Sequence, residues 1–216
     1  MDDRTWHDVR RLRAWLDAEA APSTAADARL LRVIKVSEEL GEVAEAVHGA
    51  LGANPRKGAS HTWEDVAREL ADVIVTAMVA LDTISGEGIA VLTSRFTARA
   101  EANAGRAAAD GASAGDPRLL RLLGISRDMG GVAVTVLGAL GANPRGDASG
   151  TTSTWDDAMR GLGDLVVAAM EALDSVNGAA QETVDGRLRF LVARALGAVP
   201  AAEETADGAP PQRIGP

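Results

Sequence analysis

Five carboxylates stand out by type and spacing. Glu38, Glu39 and Glu42 share one stretch, and Glu69 and Asp72 share the next. Residues three apart are neighbours on a helix, so Glu39 with Glu42 and Glu69 with Asp72 form two acidic pairs. Each pair flanks the apolar positions of its own stretch, so packing those stripes together brings the pairs together. Four converging carboxylates repel one another unless some are protonated or a cation sits among them. An all-oxygen donor set suits Mg²⁺, with Mn²⁺ as the alternative, and Mg²⁺ keeps positions open for water and phosphate oxygens. Attack of water on phosphorus is one chemistry that such a set fits, and it also needs side-chain cations on the departing phosphates. Lys35, one turn before Glu39, and Arg56 and Lys57 in the loop Asn54-Pro55-Arg56-Lys57-Gly58 are candidates for that task. Against this, a lone Glu-x-x-Glu is usually just a solvated face, and Lys35 has Glu39 within reach as an ordinary ion-pair partner.

An internal comparison weighs on the same question. The string GALGANPR occupies Gly49–Arg56 and returns at Gly138–Arg145, and Leu30-Leu31-Arg32 returns as Leu119-Leu120-Arg121. After a three-residue insertion, Trp63-Glu64-Asp65 returns as Trp155-Asp156-Asp157. This is a tandem duplication. Glu38, Glu39, Glu42 and Glu69 become Arg127, Asp128, Gly131 and Gly161, so Asp128 and Asp164 alone keep acids at ligand positions. A solvated face has no reason to vanish from one copy while its frame stays identical; a site does. Trp63 recurs as Trp155, which favours packing over base stacking, whereas Trp6 and Trp15 are unduplicated and either can flank a base.

The elements that must hold these residues read as helices throughout. The first spans Asp3–Ala18 and the second Asp27–Leu51, with Val33, Val36, Leu40, Val43, Val47 and Leu51 as its stripe. Thr62 caps a third, striped by Val66, Leu70, Val73, Ala77 and Leu81, and a fourth covers Gly88–Ala102. The second copy predicts helices near Pro117–Leu140, Trp155–Val176 and Ala180–Leu196. The fold class is therefore all-α, two tandem pseudo-symmetric repeats packed as a four-helix bundle. Residues 1–104 form the repeat with the intact acidic motif, 105–116 a linker, 117–198 the degenerate repeat, and 199–216 a disordered tail.

Composition narrows the classes. The chain has 216 residues, no cysteine and a net charge of −9, which excludes thiolate chemistry and argues against nucleic acid as a partner. The acidic N-terminus lacks a signal-peptide pattern and no uninterrupted apolar run approaches a membrane span, so the expectation is a cytoplasmic protein without a membrane partner.

Lys35-Val-Ser-Glu-Glu-Leu-Gly-Glu-Val-Ala-Glu followed by Glu69-Leu-Ala-Asp-Val-Ile resembles the motif of the MazG-like all-α nucleoside triphosphate pyrophosphohydrolases, over about Leu30–Asn103. The resemblance implies a MazG-like bundle and Mg²⁺-dependent hydrolysis of a nucleoside triphosphate to monophosphate and pyrophosphate. It makes Glu39, Glu42, Glu69 and Asp72 metal ligands and Glu38 an extra ligand or the group that activates water. Arg99-x-x-x-Asn103 resembles a substrate-binding element of the family's last helix. Family members assemble their site between subunits, so the second copy resembles a built-in partner, an intramolecular pseudo-dimer that leaves room for further dimerisation. The alternatives are phosphoribosyl-ATP pyrophosphohydrolase-like activity and a helical interaction module without activity.

Overall fold

A computed structural model describes residues 1–20, 27–106, 115–142 and 153–197. The predicted tail, most of the predicted linker and the second Asn143-Pro144-Arg145 lie outside the described residues. Seven helices carry the described chain: α1 (Asp3–Glu19), α2 (Ala28–Ala50), α3 (Trp63–Ser85), α4 (Gly88–Arg106), α5 (Pro117–Ala139), α6 (Trp155–Asn177) and α7 (Ala180–Ala195). The described residues hold no strand, only an isolated bridge between Asn54 and Gly58.

The helix starts are written in capping residues. Asp27 and Asp116 each accept a backbone hydrogen bond two residues on, from Arg29 and Arg118. Thr62 and Thr154 open α3 and α6 with capping boxes closed by Asp65 and Asp157. The repeated octapeptide is a helix ending with two fixed needs. Gly52 and Gly141 take positive φ just past α2 and α5, where a side chain is strained. At Gly49 and Gly138 an added Cβ would lie 2.2 Å from His61 and 2.7 Å from Ser153, because the returning chain crosses the helix there.

α3 and α6 are the centre, packed on each other; α2 covers α3 and α5 covers α6. The last helices then cross over: α4 lies mainly on α6 and α7 mainly on α3, with α1 added over α3 and α7. Most of the buried apolar side chains come from α3 and α6, including Leu70, Ile74, Met78, Leu162, Leu165 and Leu173, all 0% exposed. Two stacked pairs join the halves: Arg29 lies 4.1 Å over Trp155 and Arg118 lies 4.0 Å over Trp63. The tryptophans are thus half-buried under arginines, not sealed in the core.

One expectation needs correcting here. Leu51 does not belong to the buried stripe; it is the cap residue after α2 and 49% exposed. α5 is long and apolar enough on average to cross a membrane, although Arg118, Arg121, Arg127 and Asp128 interrupt its apolar run. One face of α5, Leu122, Ile125, Met129, Val132 and Val136, is nonetheless buried.

Candidate metal centre

Glu39 stands on α2 between Val36 and Val43, and Asp72 on α3 between Leu70 and Val73, all of them buried. Both acids therefore lie within the packed stripes, at 8% and 6% exposure, and do not merely flank them. Glu69, one turn before Asp72, is half-buried. Glu39, Glu69 and Asp72 each offer one carboxylate oxygen, and the three oxygens lie within 4.8 Å of one another. Glu42, one turn after Glu39, is exposed. All four acids of the two predicted pairs line one cavity of about 810 Å³.

The electrostatics follow from that crowding. Burial raises the Glu39 carboxyl above its ordinary range, against the pull of Lys35. Burial also raises Glu42, helped by the charge on Glu69. Lys35 bridges Glu39 at 2.9 Å and Glu38 at 3.1 Å. Arg187, on α7, grips Asp72 with a two-pronged fork, Nε to Oδ1 and Nη2 to Oδ2, both 2.7 Å.

The remaining predicted residues fall elsewhere. Glu38 is exposed and pairs with Lys35 outside the three-oxygen cluster. Lys57 pairs with Glu45 at 3.0 Å, and Arg56 belongs to a loop fastened by Asn54 Oδ1, which accepts from the backbone N–H of Arg56 and Lys57. Neither lines the cavity. Arg99 and Asn103 are directed to Glu171 on α6, Arg99 with a fork of 2.9 and 2.6 Å and Asn103 at 3.3 Å. They stand with the second copy's acids because α4 crosses to α6.

The same crossing supplies what the sequence reading did not find. Arg187, Leu191 and Arg194 of α7 enter the wall of the first copy's cavity. Leu12, Trp15 and Leu16 of α1 close its apolar side, and Arg32 adds a cation whose buried Nε has no hydrogen-bond partner. A signal for Arg187 was present: Asp72 and Asp164 correspond, and so do Arg187 and Arg95. In the second copy Arg95 grips Asp164 with the same fork, at 2.7 and 2.8 Å. Asp164 persists beside Gly161 because it has this partner; it does not stand alone.

Chemically, the cluster is an all-oxygen donor set at the floor of a cleft with cations on its rim and apolar side chains on one wall. Two oxygens on opposite sides of a Mg²⁺ ion lie roughly 4.2 Å apart, so a 4.8 Å cluster needs only a small contraction to fit. Comparison with family models, with curated proteins and with solved structures yields no match to this chain.

Proposed function

We propose that this chain is a Mg²⁺-dependent nucleoside triphosphate pyrophosphohydrolase of the MazG-like type, with one working site in the first copy completed by the second. The observation that carries the reading is the convergence of Glu39, Glu69 and Asp72 within 4.8 Å in the cavity that Glu42 also lines. Burial that raises Glu39 and Glu42 supports it, since a divalent cation relieves that cost. When bound, the metal supplies charge neutralisation and a more acidic water.

The chain's own residues do the rest. Glu39, Glu42, Glu69 and Asp72 would hold the metal through their carboxylate oxygens. Arg32, Lys35 and Arg194 line the cavity and meet the phosphate charge, Arg32 with its unpartnered Nε–H. Trp15, half-buried beside Leu12 and Leu16, offers an apolar wall to a planar base. Glu38 keeps the role of proton acceptor for the attacking water; exposed beside Lys35, it must turn inward to serve it. The reading makes the molecule a MazG-like four-helix bundle of two pseudo-symmetric repeats, an intramolecular pseudo-dimer.

A scan of nucleoside triphosphates with Mg²⁺, assayed for pyrophosphate, tests it, with phosphoribosyl-ATP as an added substrate. Pyrophosphate release that disappears in Asp72→Asn is the expected result. The rival reading, an interaction module without activity, draws on one observation: Lys35 and Arg187 already neutralise Glu39 and Asp72. Absence of both turnover and divalent-ion binding would decide for the module.

A further inference from the structure

Arg187 does not belong to the acidic motif, yet it bonds both oxygens of a residue at the motif's centre. Its side chain is 17% exposed and that of Asp72 is 8% exposed, so the fork is largely removed from water. The fork also lies in the wall of the cavity, because Arg187 lines it. We propose that Arg187 is a displaceable counter-ion: it holds Asp72 in the metal-free protein, yields it to the divalent ion, and transfers to the phosphate that arrives with the metal. This rests on the metal-centre reading above.

Three observations carry the proposal. The first is charge. Glu39, Glu69 and Asp72 share one small space, and Lys35 on Glu39 and Arg187 on Asp72 are among the cations that compensate them there. A divalent ion entering among the same oxygens makes a guanidinium on Asp72 redundant and repels it. The second is geometry. A two-pronged fork occupies both oxygens of Asp72 in the plane of the carboxylate, which lowers its capacity as a metal ligand until the fork opens. The third is the corresponding bond in the second half. Arg95 grips Asp164 in the same way in the second half, where Gly131 and Gly161 stand in the places of Glu42 and Glu69 and the described residues hold no such three-acid group. The fork is therefore a staple between a last helix and a central helix wherever it occurs. Only in the first half is its acid also a member of an acidic cluster. Once released, a planar, permanently charged guanidinium in a cavity wall is suited to two-point contact with phosphate.

The test uses the full chain with Mn²⁺ alone and then with Mg²⁺ and inorganic pyrophosphate, so that binding is read without turnover. Arg187→Gln is expected to bind Mn²⁺ about tenfold more tightly than the parent, and pyrophosphate in the presence of Mg²⁺ about tenfold more weakly. Arg95→Gln is expected to change neither. Mn²⁺ affinity that is unchanged or weaker in Arg187→Gln overturns the proposal and makes Arg187 a fixed support for Asp72. A parent protein that binds no Mn²⁺ overturns the metal-centre reading itself, which separates the two failures. If Arg187→Gln does not fold, the parent decides. The Arg187 Nε–H resonance, identified by its absence from Arg187→Lys, should shift and lose exchange protection when Mg²⁺ is added, while that of Arg95 stays in place. An unmoved Arg187 resonance at saturating Mg²⁺ overturns the proposal equally.

Discussion

On the proposed function, Asp72 and Glu38 have two separable roles within one motif. Asp72 is buried among donors, so Asp72→Asn removes ligand charge, and one end of the Arg187 fork, at nearly constant volume. It should lower turnover by about a hundredfold or more while leaving helicity intact, checked by pyrophosphate release and circular dichroism. Glu38 lies outside the cluster, so Glu38→Gln should lower turnover far more than nucleotide affinity; an equal loss in both would place it in the metal shell. A pH effect follows from Glu39. Burial raises its folded-state value, so its favourable contribution is complete below the ordinary glutamate value of about 4.3 and is lost as pH rises through the raised value. Thermal denaturation of the metal-free protein should therefore show a midpoint that falls from mildly acidic toward neutral pH. Glu39→Gln should flatten that slope and saturating Mg²⁺ should reverse it. A parent whose midpoint rises over this interval without metal would contradict the assignment of Glu39 as a strained acid.

At the scale of elements, α1 is the part with no duplicate, and it closes the apolar side of the cavity. Beside its buried Trp6, Val9 and Leu12, it is held by Asp82 of α3, 1% exposed, which faces Arg13 Nε at 3.0 Å and Arg10 Nε at 3.8 Å. Arg13 also donates to the Asp82 carbonyl at 3.1 Å. The corresponding Asp174 has no such helix over it and is exposed. Replacing both arginines by alanine strands a buried carboxylate and should cost about 3 kcal/mol. Limited proteolysis should then cut α1 first, and nucleotide affinity should fall more than turnover because Trp15 leaves the wall. Helix positions were legible in the sequence to within a few residues because caps and stripes are local: Thr62, Asp27 and the glycine after α2 mark ends without reference to the rest of the fold. The two acidic pairs were legible for the same reason. What a single helix cannot reveal is which other helix faces it. The crossing of α7 onto α3 is set by packing between distant segments, so Arg187 and Arg194 stayed hidden, and the turn of Arg99 and Asn103 toward Glu171 did too.

That crossing gives the whole molecule a test of its proposed origin as two fused copies. A chain ending near Gly111 loses α5, α6 and α7, and with them the cover over Leu70, Val73, Ile74 and Met78, which are 0% exposed in the full chain. Such a surface, at about 25 cal/mol per Å² of apolar area, is too costly to leave in water. The fragment should therefore aggregate or form a homodimer in which each copy supplies the place of the other's missing half. In the homodimer, α4 of one copy would lie where α7 lies now. Arg95 would then stand at the position of Arg187, Arg99 at that of Leu191 and Asn103 at that of Ala195. The residues that face Glu171 in the full chain would thus return to an acidic site, and two sites would form per dimer. The expected outcome is that Arg99→Ala lowers pyrophosphate release in the fragment by about tenfold or more yet leaves the full chain near its original rate. Size-exclusion chromatography with light scattering would establish the dimer beforehand. A soluble monomer with full activity would show that the second half is dispensable and that Arg187 and Arg194 contribute nothing to the site they line.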